Sequence, residues 1–260
     1  MSIKSTLLKI YNYPYLSKEK TNENQKKIRD TEWFAVKPYL KKGKFLDVGC
    51  GAGYAMQRAH EDLGCEVYGI DPDPMGHGVG RIGSNFKINT ENIQKAFAEK
   101  IPFEDKMFDT VYSSHVLEHV NDELKSLQEM SRVLKDDGVL IIGMPTASMA
   151  VINWISNVMF TSHHRFVNFF FSPFITTGKT SFKELFIPKS HSKEGSTLLF
   201  DLKMYQVKRW QELVNTVFEV EHVLLPALYP YPEMRQWFKM HKSSKYSSSV
   251  FFVCRKRKYF

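Results

Sequence analysis

A glycine-rich segment between residues 45 and 55, FLDVGCGAGYA, constrains the fold of this chain more than any other. It predicts a short buried strand, a tight turn with glycine at 49, 51 and 53, and a helix whose apolar residues share one face. Because glycine has no Cβ, the backbone can turn sharply there and a ligand can approach it closely. The unpaired N–H groups of the helix N-terminus face the same point. The segment therefore predicts a small-ligand site at the C-terminal edge of a parallel sheet.

The acids around the glycines indicate which ligand binds there. The dinucleotide motif requires a third glycine at position 54, where this chain has Tyr54. Asp47 precedes the first glycine, and a second predicted strand, residues 66–70, leads into Asp71. A carboxylate in the position of Asp71 can accept hydrogen bonds from both hydroxyls of a ribose. This arrangement favours a nucleoside over a pyrophosphate.

Four segments in a fixed order resemble the class I S-adenosylmethionine-dependent methyltransferases of the type 11 group. They are FLDVGCGAG, the strand ending in GIDPDP, AEKIPFEDKMFDTVYSSHVLEHV, and RVLKDDGVLIIGMP, all between residues 43 and 146. The resemblance implies an α/β, Rossmann-like fold with a mostly parallel seven-stranded sheet and helices on both faces. It also implies S-adenosylmethionine as the cofactor, S-adenosylhomocysteine as the product, and methyl transfer without a metal.

The resemblance places the cofactor contacts at the ends of the predicted strands. The glycine turn lies under the methionine and ribose, Asp47 supports the amino group through the turn or a water, and Asp71 binds the ribose hydroxyls. Family members usually have an aspartate for the adenine amino group where this chain has Phe97, so adenine either stacks on Phe97 or binds Glu99. The predicted cofactor-binding set is Asp47, Gly49, Gly51, Gly53, Asp71, Pro72, Phe97, Ala98, Glu99, Ser114 and His115.

Four histidines are candidate general bases. A base is needed only where the acceptor must lose a proton, and a neutral imidazole titrates near physiological pH. The candidates are His115, beside the expected methionine half of the cofactor, and His163, His164 and His191, which follow the fifth strand. His119 lies four residues past His115 and is assigned a packing role.

Four regions are predicted along the chain. Residues 1–30 form a basic N-terminal arm or a cap over the ligand pocket, and residues 31–146 form the cofactor-binding core. Residues 147–202 form an aromatic-rich insertion after the fifth strand, either a lid that shapes the acceptor pocket or a subdomain with its own small core. Residues 203–260 complete the sheet with an antiparallel pair of strands.

Capping residues predict where two helices of the core begin. Thr31 is expected to cap a helix that leads into the first strand, and Asn121 is expected to cap one that leads into the fifth. The second helix is expected to bury Leu124 together with later apolar residues. Lys135 and Gly138 are expected to close it.

Composition limits the compartment and the partners. The net charge of +8 indicates an anionic partner or a solvated lysine-rich surface. The 3 cysteines have no metal-ligand spacing and fit a reducing compartment. The sequence has no signal-peptide pattern and no run of about 20 apolar residues for a membrane span. The chain is therefore predicted to be cytoplasmic, with peripheral contact at the inner membrane face as an alternative.

The favoured function is O-methylation of a small-molecule, glycan or lipid-linked acceptor. A nucleic-acid methyltransferase is the second hypothesis, which the basic charge allows. Against it, SSHV follows the fourth strand in place of an N-P-P-[YF]-type motif. A cofactor-binding partner protein without catalysis is the third hypothesis.

Overall fold

The computed structural model describes residues 3–12, 17–74, 90–175, 198–230, 240 and 245–257. The strands in these ranges are β1 (Lys44–Val48), β2 (Glu66–Asp71), β3 (Ile93–Lys95), β4 (Phe108–Ser114), β5 (Leu134–Pro145), β6 (Phe218–Leu224) and β7 (Ser249–Lys256). The helices are α1 (Ile3–Asn12), α2 (Lys18–Val36), α3 (Tyr54–Leu63), α4 (Glu123–Val133), α5 (Ala147–Ile175), α6 (Leu198–Met204) and α7 (Val207–Val214).

The seven strands form one sheet with the order β3-β2-β1-β4-β5-β7-β6. Strands β1 to β5 pair in parallel, whereas β7 is antiparallel to both β5 and β6. The predicted seven-stranded, mostly parallel sheet with an antiparallel edge is confirmed. Because β1 lies between β2 and β4, the carboxyl ends of these three strands meet at one edge of the sheet.

Helices cover both faces of the sheet, and β1 shows how the sequence achieves this. Successive side chains of a strand point to opposite faces. Phe45 packs in one buried cluster with Trp33 of α2 and Met56 of α3. Leu46 packs in a second cluster, which includes Leu127 of α4 and Trp210 and Val214 of α7. Both faces of the strand therefore bury apolar side chains, as is usual for a central parallel strand.

The second helix begins earlier than the sequence suggested. Ser17 is its N-cap and accepts a hydrogen bond from the Lys20 N–H, and the helix runs from Lys18 to Val36. Thr31 lies inside it and donates its hydroxyl to the Lys27 carbonyl at 2.8 Å. The predicted start at Thr31 is wrong, because the polar first half of α2 carries no apolar stripe that would reveal a helix.

The boundaries of α4 also differ from the prediction. Its N-cap is Asp122, whose Oδ1 accepts the Lys125 N–H at 2.9 Å, and not Asn121. Leu134 is already extended as the first residue of β5, so Lys135 and Gly138 do not close the helix. Leu124 was expected to be buried, but it is 43% exposed.

The insertion begins with α5, a single helix of 29 residues that packs against α1 and α6. His191 lies outside the described residues, as do the side chains of His163 and His164. In the part of the chain that the structure describes, no helix is both long and apolar enough to span a bilayer. The assignment of residues 147–202 as an acceptor lid stays a prediction, as does the division of the chain into four regions.

Candidate active site

The carboxyl ends of β1, β2 and β4 open into a cleft of about 430 Å³. This volume lies within the range of about 300–1,000 Å³ that is usual for small-ligand pockets. Its walls come from the glycine turn after β1, residues 70–73, residues 96–99, the end of β4 with the following loop to residue 121, and Arg29 of α2. The structure brings all of the predicted cofactor-binding residues except Gly53 together in this wall.

Two glycines of the turn face the cleft, and the third ends the turn. Gly49 and Gly51 have φ angles of 77° and 49°, which favour glycine, and both line the cleft. A Cβ on Gly49 would overlap the Val116 side chain. Gly53, with φ of 85°, is the N-cap of α3 and donates its N–H to the Cys50 carbonyl at 2.7 Å, outside the cleft wall.

Asp71 is buried at the end of β2 and is held by the turn. Its Oδ2 accepts the Gly51 N–H at 2.8 Å, and its Oδ1 accepts the Asp73 N–H at 2.8 Å. Each carboxylate oxygen can accept more than one hydrogen bond. The side chain is thus fixed beside the glycine turn, with Pro72 in the same wall, in a position that fits hydroxyl donors.

Asp47 is a second buried acid in the cleft wall. Burial raises the pKa of Asp47 to about 8, and the nearby charge of Asp71 adds to the effect, while Arg29 opposes it. A cation in the cleft would favour the ionised form of Asp47. The acids of this cleft therefore suit a positively charged ligand such as a sulfonium with an ammonium group.

Residues 97–99 offer two kinds of contact to a flat heterocycle. Phe97 lies in the cleft wall with its side chain 59% exposed, and Ala98 beside it is buried. Glu99 Oε1 accepts the Asn121 N–H at 2.9 Å. Its Oε2 is buried without a hydrogen-bond partner among the described residues. Both alternatives from the sequence, stacking on Phe97 and an amino group on Glu99, fit this geometry.

His115 lies at the other end of the cleft, directly after Ser114. Its φ of 57° is rare for a residue other than glycine, and its N–H donates to the Gly143 carbonyl at 2.9 Å. Nδ1 lies 3.4 Å from Glu118 Oε1, and Nε2 lies 3.7 Å from Glu32 Oε1. Burial opposes protonation, but the two carboxylates outweigh it and raise the pKa of His115 to about 9. The two carboxylates therefore favour the protonated form of the ring.

Glu32 connects α2 to the base of the cleft. This buried carboxylate accepts hydrogen bonds from Arg29 Nη1 at 2.8 Å, Tyr229 Oη at 2.7 Å and Ser249 Oγ at 2.7 Å. Burial opposes its ionisation, but the charge of Arg29 and the nearby ring of His115 hold the pKa of Glu32 far below its usual range. Arg29 also donates to Ser114 Oγ at 3.4 Å, so α2 reaches the cleft directly.

Sequence reasoning missed three residues of this site. Arg29 and Glu32 carry no motif, and apart from the ion pair that they form with each other, their partners are distant in the sequence. His119 was assigned a packing role, but its side chain is 60% exposed and lines the cleft, so that assignment is wrong. The available signal for His119 was its position just after β4, in the segment Leu117, Glu118 and His119.

Comparisons with known proteins agree with this fold. The family described as "Methyltransferase domain" matches residues 46–142. A SAM-dependent methyltransferase from Thermotoga maritima, described as a possible histamine N-methyltransferase, is 18% identical with a TM-score of 0.55, over 92% of this chain and 94% of that one. A putative S-adenosylmethionine-dependent methyltransferase from Listeria monocytogenes is 17% identical with a TM-score of 0.54, over 88% and 98%. These structures share the fold.

The sheet order and the shared fold thus define a Rossmann-like α/β protein with the fold of the class I methyltransferases. The matched segment is more specific: residues 46–142 match the methyltransferase-domain family, so this part of the chain is similar to the class I S-adenosylmethionine-dependent methyltransferases.

Sequence relatives differ in the acceptors that their names state. The tRNA U34 carboxymethyltransferase of Saccharophagus degradans is 33% identical over 124 residues, which are 44% of this chain and 36% of that protein. The ubiquinone/menaquinone biosynthesis C-methyltransferase of Citrifermentans bemidjiense is 35% identical over 121 residues, 44% of this chain and 52% of that protein. The chain thus matches only about half or less of the length of each of these relatives.

Proposed function

We propose that this chain transfers a methyl group from S-adenosylmethionine to an acceptor bound beside the cleft. The observation that carries the proposal is the hydrogen bond from the Gly51 N–H to Asp71 Oδ2, because it joins a turn without side chains to a buried acid. When bound, the cofactor supplies a methyl group on a sulfonium and leaves as a neutral thioether. The protein therefore has to hold two molecules in line, and positioning can lower such a barrier by up to about 7–11 kcal/mol.

The cleft residues divide into groups that would hold different parts of the cofactor. Gly49 and Gly51 allow the ribose and methionine to approach the backbone, and Asp71 accepts the ribose hydroxyls. Asp47 offsets the positive charge of the methionine half. At the far end, Phe97 and Glu99 hold the adenine by stacking and by a hydrogen bond to its amino group.

His115 has an electrostatic role in this proposal. A protonated imidazole between Glu32 and Glu118 has no lone pair for a proton at neutral pH, so His115 is not the base in this arrangement. A fixed cation next to an acceptor oxygen stabilises the negative charge that develops when the oxygen loses its proton. A base role for His163, His164 or His191 stays a prediction.

Calorimetry with S-adenosylmethionine tests the cofactor assignment. Asp71→Ala removes the acceptor for the ribose hydroxyls, and we expect the dissociation constant to rise at least about tenfold, as for the loss of charge-assisted hydrogen bonds. Asp137→Ala is the control, because Asp137 is an exposed acid outside the cleft wall. Equal affinities of the wild type and Asp71→Ala would remove the ribose assignment.

The acceptor class is proposed as a hydroxyl-bearing small molecule, glycan or lipid-linked compound. Methyl-labelled cofactor, incubated with cell extract divided into lipid, glycan, nucleic-acid and small-metabolite fractions, identifies the fraction that takes up label. Cofactor binding without label transfer to any fraction would favour the non-catalytic alternative.

RNA is a second candidate acceptor. It is supported by the net charge of +8 and by relatives named as tRNA U34 carboxymethyltransferases. Binding of tRNA that weakens steeply with rising salt, as phosphate contacts require, together with label in the nucleic-acid fraction, would favour this candidate. Label confined to the other fractions would exclude it.

A further inference from the structure

A second groove continues from the cleft. Val120 and Asn121 line both cavities, so the two are adjacent. The groove has a volume of about 460 Å³ and lies between the start of α4 and the helices α6 and α7. Its apolar wall is formed by Leu124, Phe200, Met204, Tyr205, Trp210 and Leu213. Leu124 and Phe200 are 43% and 42% exposed, so their apolar surface is available to a ligand.

Glu118 provides a hydrogen-bond acceptor in the wall of this groove. Its side chain is only 5% exposed, and its Oε1 faces His115 Nδ1 at 3.4 Å. Its Oε2 is buried and has no hydrogen-bond partner among the described residues. A buried carboxylate oxygen without a hydrogen-bond partner lowers the stability of the fold, and such oxygens are unusual in native structures. A donor group on a bound molecule would satisfy it.

Of the other charged groups in the groove, Arg209 and Glu123 pair with each other, and Asp122 caps α4 by accepting the Lys125 N–H at 2.9 Å. Arg209 Nη2 donates to both oxygens of Glu123, at 2.9 and 2.7 Å. The guanidinium of Arg209 also lies 4.4 Å from the ring centroid of Trp210. The groove therefore offers apolar surface and the unpartnered buried oxygen of Glu118, and its arginine is not available to an anion.

We infer that this groove binds the methyl acceptor, an apolar ring compound whose hydroxyl or N–H group donates to Glu118 Oε2. The inference rests on the proposed function, because methyl transfer requires an acceptor next to the cofactor cleft. Glu118 contacts His115, which lines that cleft, so the donor group of the acceptor lies where the two cavities meet.

Two probes that differ in one hydrogen-bond donor test this inference. 2-Naphthol can donate to Glu118, whereas 2-methoxynaphthalene has the same ring system and no donor. Calorimetry with the full chain, with and without saturating S-adenosylhomocysteine, measures both affinities. We expect 2-naphthol to bind about tenfold more tightly, as a charge-assisted hydrogen bond implies. Glu118→Gln is expected to reduce that preference to about threefold or less, because the acceptor becomes neutral.

A pair of variants on α6 provides the matched control. Phe200→Ala is expected to weaken both probes equally, because Phe200 lines the groove. Leu199→Ala is expected to leave both affinities unchanged, because Leu199 is 78% exposed and outside the groove wall. Phe200→Ala changes only a half-exposed side chain, so it tests the groove even if Glu118→Gln does not fold.

Three results would overturn the inference: no binding of either probe to the wild type, equal binding of both probes, or no effect of Phe200→Ala. Failure of S-adenosylhomocysteine to bind would instead contradict the proposed function. The probe titrations without cofactor still test the groove in that case, so the two failures are distinguishable.

Discussion

Tyr229 Oη donates a hydrogen bond to Glu32 Oε1 at 2.7 Å, although 197 positions separate the two residues. The bond joins α2 to the segment that follows β6, and Glu32 in turn faces His115 in the cleft. A buried carboxylate loses part of its stabilisation when a donor is removed. The position of α2 over the cleft thus depends on a residue near the end of the chain.

Removal of this donor is expected to destabilise the fold. Tyr229→Phe leaves the ring in place and removes the hydroxyl, which should lower the free energy of unfolding by about 1–3 kcal/mol. Urea denaturation measures the change. Tyr246→Phe is the control, because the Tyr246 side chain is exposed, and it should change the free energy of unfolding by less than about 0.5 kcal/mol. Equal stability of wild type and Tyr229→Phe would contradict the importance of the bond.

Asp47 is expected to make the stability of the fold depend on pH. The folded state raises the pKa of Asp47 from 3.8 to about 8, chiefly by burial. Between these values the folded chain holds a proton that the unfolded chain has released, so stability falls as pH rises across the window. Asp47→Asn removes this contribution, on the order of a few kcal/mol. Urea denaturation between about pH 5 and pH 8.5 should show that the free energy of unfolding depends less on pH in Asp47→Asn than in the wild type. The same pH dependence in both proteins would exclude the raised pKa of Asp47.

The same acid is expected to couple cofactor binding to proton release. The positive charge of S-adenosylmethionine favours ionised Asp47, so binding near pH 7 should release up to about one proton. Calorimetry in buffers with different ionisation enthalpies measures the number released. Asp47→Asn should abolish the release, whereas a variant at an exposed acid, Asp137→Asn, should retain it. Release that persists in Asp47→Asn would assign the proton to another group.

His115 is expected to titrate well above an ordinary histidine. The carboxylates of Glu118 and Glu32 raise the pKa of His115 from 6.5 to about 9 against the effect of burial. The bound proton on His115 stabilises the folded chain fully below pH 6.5, and this stabilisation is lost as the pH rises through about 9. Proton NMR of the imidazole C2–H measures the pKa directly. Glu118→Gln should lower the value, and a midpoint near 6.5 in the wild type would show that the ring is not held as a cation.

The segment from β1 to Asp71 could be predicted because its signals are local. Gly49 and Gly51 come directly after a buried strand, and Asp71 ends the next strand. Residue type and spacing were therefore sufficient to predict the turn and the acid beside it. The end of α3 has a local signal of the same kind, because its C-cap is Gly64 in the left-handed conformation with φ of 69°, where glycine is the usual residue. Patterns of this kind do not depend on distant partners.

The missed features depend on contacts between distant parts of the chain. Glu32 is a buried acid on a polar helix, and two of the donors that satisfy it, Tyr229 and Ser249, lie far along the sequence. Leu124 has the spacing of a core residue, but it lines a groove that α6 and α7 complete. Periodicity identifies an apolar position but does not show whether protein or ligand covers it.

The exposed aromatic residues of α5 are expected to bind a lipid surface, as the predicted peripheral membrane contact requires. Phe170 is 61% exposed, and its ring stacks on that of Phe166 at a centroid distance of 6.4 Å. Such neighbouring apolar side chains can insert between lipid headgroups, and the net charge of +8 favours anionic vesicles.

Flotation with vesicles of phosphatidylserine and phosphatidylcholine should recover the chain. Phe170→Ser should reduce the partition coefficient about tenfold, since a phenylalanine side chain contributes about 1.5–3 kcal/mol on burial. Val223→Ser, at an exposed position on β6, should have no effect; equal flotation of wild type and Phe170→Ser would exclude α5 as the contact surface.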